Sequence, residues 1–235
     1  MPDIAKRIVR SALGSFGFSI SRLPNYRRIY EKYRAYTMCS RATFEANLAL
    51  AASVRSTGCV IECGVWKGGS SAGMAEVLGP DRDYFLFDGF QGMPPPQPID
   101  GPAAAAWEAD KDGPWYFDNG CVGPEEAERA MRLSGARRFK VIEGWFEDTL
   151  PGFVPPSPIA VLRIDCDWHQ PTLTCLRALY PYVDEAGIVI VDDYHAWDGS
   201  ARAVHEYLAE AEEVARIREF HGVTYLVKGA QVWRA

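Results

Sequence analysis

Two apolar segments that each end in a pair of aspartates constrain this chain more than any other feature. Residues 159–164 and 187–191 are almost entirely apolar, as expected for parallel strands that are buried on both faces. In an open α/β sheet the carboxyl ends of such strands share one edge, where ligands bind. We therefore predict that the acids following the two segments meet there as an acidic cluster: Asp165, Asp167, Asp192 and Asp193. Their mutual repulsion requires a cation or shared protons, and a divalent metal ion is our first hypothesis.

A glycine-rich turn follows an earlier apolar segment, residues 59–63. Strand, glycine turn and small-residue helix in this order are typical of a nucleotide-cofactor site. The spacing is E-x-G-x-x-x-G rather than the dinucleotide pattern G-x-G-x-x-G. The carboxylate of Glu62 suits the ammonium group of S-adenosylmethionine, and Gly64 lets the backbone approach the cofactor closely. A purely structural turn is the alternative. The other residues that we assign to this cofactor loop are Val65, Gly68 and Ser70.

Further cofactor candidates follow the next two predicted strands, residues 84–87 and 139–142. Asp88 comes 24 residues after Gly64, close to the spacing at which an acid accepts hydrogen bonds from ribose hydroxyls. A turn or a helix cap is its alternative role. Three aromatic residues are assigned to the same cofactor site, of which the last two could border the adenine or belong to the core: Phe90, Trp145 and Phe146.

Residues 89–124 interrupt the regular alternation and combine prolines with aromatic residues. An insertion of this length is usually functional or disordered, and its aromatic content favours a lid over a substrate. Residues 1–37 are predicted to form an N-terminal helical arm that packs on the domain or on a second subunit, or contributes to the lid; a homodimer is a corresponding expectation. Residues 38–235 then form a single α/β domain that ends in a hairpin of residues 214–219 and 223–227.

Composition narrows the class of protein. A chain of 235 residues is long enough for one α/β domain, and a net charge of -6 disfavours a nucleic-acid-binding surface. An apolar run long enough to span a membrane is absent from the sequence. The six cysteines lack the spacing of a disulfide scaffold, which favours reduced thiols in a cytoplasmic protein.

Five motifs occur in an order that resembles the macrocin O-methyltransferase (TylF/MycF-type) family: VIECGVWKGGS, FDGFQGMP, EGWFEDTLP, LRIDCD and IVDDY. The resemblance covers about residues 40–228. It implies a Rossmann-like class I methyltransferase fold, with a seven-stranded, mostly parallel sheet and helices on both faces. It also implies a magnesium- and S-adenosylmethionine-dependent O-methyltransferase that acts on a small molecule, often a sugar hydroxyl of an antibiotic or another natural product. The metal ligands implied are Asp165, Asp192 and Asp193, with Asp167 as the catalytic base.

The chain departs from the family pattern where the acceptor should bind. His169, Gln170 and Pro171 stand where an aromatic residue, a glutamate and a serine or threonine are common, and His195 stands where glycine is frequent. The two histidines are therefore alternative bases, and Asp165 could contact the cofactor instead of a metal ion.

Other functions compete with O-methylation of a sugar. A catechol or phenol acceptor would use the same chemistry. An NAD-dependent oxidoreductase is disfavoured because both G-x-G-x-x-G and a Tyr-x-x-x-Lys pair are missing. The intact acids and the expected lid oppose a non-catalytic binding module.

Overall fold

The computed structural model describes residues 25–113, 116 and 122–229. Its seven strands form one sheet in the order β3-β2-β1-β4-β5-β7-β6, in which β7 runs antiparallel to β5 and to β6. This arrangement confirms the seven-stranded, mostly parallel sheet with a closing hairpin. The strands are β1 Cys59–Cys63, β2 Asp83–Asp88, β3 Arg138–Glu143, β4 Ile159–Ile164, β5 Val183–Val191, β6 Arg218–Phe220 and β7 Val223–Val227.

Helices cover both faces of this sheet, and alternate strand residues supply two separate cores. Val60 of β1 and Val161 of β4 pack in the core that includes α2, α3 and α5, whereas Ile61 and Leu162 pack with α7 and α8. The α-helices are α1 Arg27–Tyr33, α2 Arg41–Ser53, α3 Gly69–Leu78, α4 Gly101–Ala109, α5 Pro124–Ser134, α6 Phe146–Thr149, α7 His169–Leu179 and α8 Asp198–Glu210.

Several boundaries differ from the sequence prediction for physical reasons. Strand β6 is shorter than residues 214–219, because only Arg218–Phe220 pair with β7. The sequence offers Ser40 and Thr43 as caps for α2, and Ser40 is the one used: its side chain accepts a bond from the Thr43 N–H. For α8 the sequence predicts a cap by Asp198 or Ser200, and this is wrong, because Trp197 is the N-cap residue and contributes no side-chain bond.

Residues 89–124, which we call the lid, contain a helix that the sequence pattern did not predict. The helix α4 follows a single 3₁₀ turn, Pro98–Asp100, and its sequence is GPAAAAWEA. Alanine has the highest helix propensity but leaves no amphipathic period to recognise. The buried Asp100 accepts bonds from the N–H groups of Gln97 and His169 (2.7 Å each) and so attaches this helix to α7. Whether the segment closes over a substrate stays a prediction.

The described part of the N-terminal arm packs on the domain. Tyr33 of α1 is fully buried and donates a hydrogen bond to Glu76 of α3 (2.8 Å), and Lys32 contacts the same carboxylate. The helix expected near residues 4–13 lies outside the described residues. None of the helices in the described ranges has the length and hydropathy needed to cross a bilayer.

Candidate active site

A cleft opens at the carboxyl ends of β1, β2 and β4, the edge of the sheet where the sequence predicted a ligand. It contains about 900 Å³ of empty space, including its mouth. Residues from the glycine loop, the lid, the end of β3 and the end of β4 line it: Met38, Gly64, Trp66, Asp88, Gly89, Phe90, Gly92, Met93, Pro94, Val122, Trp145, Phe146, Glu147, Asp165, Cys166, Asp167 and Pro171. A lining of apolar and aromatic side chains with a few carboxylates is typical of small-molecule sites.

The two glycines of the E-x-G-x-x-x-G motif are required by close backbone contacts. Gly64 has a φ of +82°, and a Cβ atom there would lie 1.7 Å from the carbonyl oxygen of Asp165. Gly68 has a φ of +81° and begins α3, where a Cβ atom would lie 2.8 Å from the Cα of Ala127. The loop therefore presses against the end of β4, and its backbone borders the cleft. Val65 and Ser70 are buried and do not line the cleft.

Asp88 fixes the shape of this loop. One of its carboxylate oxygens accepts bonds from the N–H groups of Val65 (2.6 Å) and Trp66 (2.8 Å), and the other accepts from Phe90 (2.7 Å). A carboxylate offers about four acceptor sites, so three backbone bonds leave capacity for one more donor. Asp88 lines the cleft, and its contact with a ribose stays a prediction.

An aromatic wall follows β3. Trp145 is 37% exposed, and Gly89 packs against its ring, since a Cβ atom there would lie 3.3 Å from it. Phe146 lies beside it and is buried. Both side chains line the cleft, as the adenine assignment requires.

The structure brings the acidic cluster together at the opposite wall. One carboxylate oxygen each of Asp165, Asp192 and Asp193 lie within 4.8 Å of one another. Asp167 lines the cleft beside them, and its backbone N–H donates to the Asp193 carboxylate (2.9 Å). Three oxygen ligands at this spacing suit a hard cation such as magnesium.

Arg163 is the functional residue that the sequence reasoning missed. Its guanidinium is 1% exposed and lies 2.6 Å from Glu62, 2.8 Å from Asp165 and 2.8 Å from Asp192. Its Nε–H donates to Asn47 of α2 (3.3 Å). A usable signal was present: Arg163 and Glu62 are opposite charges inside neighbouring apolar strands, in direct register.

Glu62 lies behind the cleft. It is 1% exposed, does not line the cleft, and accepts bonds from Arg163 (2.6 Å) and from the Ser71 hydroxyl. Its predicted contact with the cofactor ammonium remains untested, and its observed role is to pair with Arg163.

Burial favours protonated acids in this cluster. It raises the pKa of Glu62 to about 7 and that of Asp165 to about 6, although the Arg163 charge lowers both. Burial and the Asp165 charge raise the pKa of Asp167 to about 7, while a hydrogen bond from Trp197 lowers it. The pKa of Asp193 is raised for the same reasons, burial first and then the charge of Asp167. A bound cation would replace these protons.

Neither candidate histidine reaches the cleft. The ring of His169 is buried against α8 and lies 2.9 Å from the Glu206 carboxylate. His195 is exposed, 3.6 Å from Glu219. Neither residue is among those that line the cleft, whereas Asp167 is, so the geometry favours Asp167 over both histidines as the base.

The fold is that of a Rossmann-like class I methyltransferase. Its features are the strand order β3-β2-β1-β4-β5-β7-β6, a cofactor-type glycine loop after β1 and an acid at the end of β2. Within that class, the chain belongs to the macrocin O-methyltransferase (TylF) family, which it matches over residues 31–224.

Two curated relatives come from Streptomyces species. The chain is 37% identical over 160 residues (64% of this chain, 58% of the relative) to the 8-demethyl-8-(2,3-dimethoxy-alpha-L-rhamnosyl)-tetracenomycin-C 4'-O-methyltransferase of Streptomyces olivaceus. It is 37% identical over 163 residues (65% and 59%) to the demethyldecarbamoylnovobiocin O-methyltransferase of Streptomyces niveus. The chain thus spans about three fifths of the length of these relatives.

Solved structures share the fold. The O-methyltransferase NovP superposes with a TM-score of 0.66 at 28% identity, covering 83% of each chain. The calicheamicin methyltransferase CalS11 superposes with a TM-score of 0.63 at 22% identity, covering 90% of this chain and 88% of its own.

Proposed function

We propose that this protein transfers a methyl group from S-adenosylmethionine to a sugar hydroxyl of a glycosylated natural product, with magnesium at the acidic cluster. One observation carries the proposal: a single cleft is bordered by the glycine loop, by an aromatic wall and by the carboxylate of Asp167. The Streptomyces olivaceus relative is named for the 4'-O-methylation of a rhamnosyl-tetracenomycin, and this supports a sugar acceptor.

The residues of the cleft divide between two ligands. Gly64, Asp88 and Trp145 lie on the side of the glycine loop and would hold the cofactor. Pro94 of the lid, whose carbonyl oxygen accepts a bond from Trp168 next to Asp167, and Pro171 of α7 also line the cleft, and the acceptor would bind near them. Of the departures from the family pattern at residues 169–171, Pro171 lines the cleft and His169 and Gln170 do not, so Pro171 would tune acceptor choice rather than the reaction.

Asp167 would act as the base. Its carboxylate accepts the proton of the acceptor hydroxyl while the hydroxyl oxygen forms a bond to the methyl carbon and the carbon–sulfur bond breaks, giving a methyl ether and S-adenosylhomocysteine. A pKa near 7 suits a general base that works at neutral pH. The protein's main contribution is to hold the two reactants in line.

The oxygen atoms of Asp165, Asp192 and Asp193 fit a magnesium ion in number and chemistry. When bound, magnesium would supply positive charge that makes a nearby hydroxyl more acidic. Arg163 holds two of these acids in place from behind.

The test is methyl transfer from tritiated S-adenosylmethionine to a panel of deoxysugar glycosides, catechols and amines, with magnesium or with EDTA. We expect transfer to a glycoside hydroxyl that EDTA abolishes. Transfer to catechols alone would assign the phenol class instead. The absence of transfer, together with calorimetric binding of NAD but not of S-adenosylmethionine, would refute the proposal.

Substitutions of the ligand set sharpen this test. Asp165→Asn and Asp193→Asn should each abolish magnesium-dependent transfer while the protein remains folded by circular dichroism. Asp81→Asn is the matched control, because Asp81 is exposed just before β2, far from the cluster end of that strand, and its side chain pairs with Arg137 on the surface. Undiminished turnover of either cluster variant in EDTA would remove the metal from the mechanism.

A further inference from the structure

Trp197 lies where the acidic cluster, the lid and α8 meet. Its indole Nε1–H donates a hydrogen bond to the Oδ1 atom of Asp167 over 3.0 Å. Its backbone N–H donates to the carbonyl oxygen of Asp193 (3.0 Å), and the Asp193 carboxylate accepts from the Asp167 N–H (2.9 Å). The three residues therefore form a closed set of hydrogen bonds around the proposed base.

Asp167 needs such support because its backbone is unfavourable. Its φ is +58°, in the left-handed region, which aspartate adopts only occasionally. Contacts with surrounding residues therefore have to hold this conformation. The bond to Asp193 holds its backbone, and the bond from Trp197 is the one that orients its side chain.

The indole ring of Trp197 also contacts the lid. Its centroid lies 6.0 Å from that of Trp107 in α4 and 5.2 Å from that of Trp168, and Trp107 and Trp168 are 5.8 Å apart. Packed aromatic pairs of this kind stabilise their contact beyond the burial of apolar surface. A displacement of α4 would therefore move the indole ring of Trp197, which is bonded to Asp167.

The base of the lid is seated on the same part of α8. A Cβ atom at Gly199 would lie 2.1 Å from the Oδ1 atom of Asp100, and one at Gly101 would lie 2.4 Å from the Oδ2 atom of Asp198. The lid is also connected to the start of α7, because the Nε1–H of Trp168 donates to the Pro94 carbonyl of the lid (2.8 Å). The start of α4 and the start of α8 are thus in direct contact, with no room for a larger side chain at either glycine.

We propose that Trp197 is a positioning residue, which holds the Asp167 carboxylate toward the acceptor and makes its orientation depend on the placement of the lid helix α4. The inference rests on the proposed function, since it takes Asp167 as the base. In this role Trp197 contacts neither substrate.

The hydrogen bond can be tested in the protein without substrates. Protein labelled with ¹⁵N at the tryptophan indoles gives one Nε1–H signal for each ring, and Trp197→Phe identifies the signal of Trp197. Asp167→Asn should move this signal, because a carboxylate acceptor is replaced by an amide, and Trp107→Ala should move it through the lid. An unmoved signal in Asp167→Asn overturns the positioning role, and one unmoved in Trp107→Ala overturns the coupling to the lid.

Kinetics supply the second readout. Trp197→Phe keeps an aromatic ring and removes the N–H, so kcat for the best glycoside of the panel should fall roughly 10–100-fold, as misplaced reacting groups do. Calorimetric affinity for S-adenosylmethionine should stay within about twofold, because Trp197 does not line the cofactor side of the cleft. An unchanged kcat, or equal losses in kcat and cofactor affinity, would overturn the proposal.

Trp168→Phe is the matched comparison. It makes the same replacement in the same aromatic group but removes a bond to the lid carbonyl of Pro94 instead of one to Asp167. It should leave the Asp167-dependent shift of the Trp197 signal intact, and loss of that shift would count against a direct bond. A wild-type protein without methyl transfer would refute the proposed function while the NMR result still decided whether Trp197 holds Asp167.

Discussion

Replacing Arg163 by methionine should reveal how strongly the acidic cluster depends on one buried cation. Methionine approximates the length of the arginine stem and fills irregular space, so the main change is loss of the charge. The guanidinium contacts three carboxylates, but these differ in access to water: the side chain of Glu62 is 1% exposed, that of Asp192 19% and that of Asp165 31%. Only Glu62 would be left without either a cation or solvent.

The expected loss follows from that difference. Removing one partner of a buried ion pair typically costs about 3–5 kcal/mol, because a charge remains buried without compensation. Water can reach the two partly exposed acids, so we do not multiply this cost by three. For a chain of 235 residues, the loss corresponds to a fall in Tm of roughly 6–20 °C.

The assay is urea and thermal unfolding at pH 7.5 in EDTA, with Arg177→Met as the matched control. Arg177 also pairs with carboxylates, those of Glu206 and Glu210, but its side chain is 49% exposed, and exposed pairs contribute little to stability. Adding Glu62→Gln to Arg163→Met should restore part of the loss, since the stranded charge is removed. The reasoning is refuted if Arg163→Met is as stable as the control, or if the second substitution restores nothing.

Two further predictions concern the same edge of the sheet. The raised pKa values of Glu62, Asp165 and Asp167, about 7, 6 and 7, mean that the folded protein binds protons more tightly than the unfolded chain. Without divalent cations its stability should therefore fall as pH rises from about 4 to about 7, and magnesium should restore it above pH 7; a flat Tm–pH profile in EDTA would contradict this. Gly64→Ala should destabilise the protein by more than Gly135→Ala. Both glycines have a φ near +80°, but an added Cβ atom would collide with the backbone at Gly64 and would meet nothing within 4 Å at Gly135. Equal Tm values for the two variants would exclude this steric explanation.

The fold was predictable where burial leaves a simple pattern. Strands β1 and β4 and residues 187–191 of β5 are buried on both faces and are almost entirely apolar, which is why their carboxyl ends and the acids that follow them could be predicted. The lid helix α4 was missed because a run of alanines has propensity without a period. The length of β6 depends on pairing with β7, a tertiary contact that its own residues do not encode.

The roles of the histidines could not be predicted for a related reason. His169 follows the acidic strand closely in sequence, and that proximity made it a candidate base. In the structure it begins α7, and its ring direction is decided by Glu206 on α8, 37 residues further along the chain. Proximity in sequence indicates that a residue is near the cleft, but not which way its side chain turns.

Strand alternation explains why the charges meet. Val60 and Val161 face the core of α2 and α3, and Glu62 and Arg163 follow them by two residues, so both charges point to that same side of the sheet, in register. Ile190 of β5 shares this core and is paired with Arg163, so Asp192, two residues on, comes within 2.8 Å of the guanidinium. A one-residue slip of β4 would turn Arg163 toward the opposite core and leave the acids without their internal cation. The Glu62–Arg163 pair thus selects one register for the strand that carries the site.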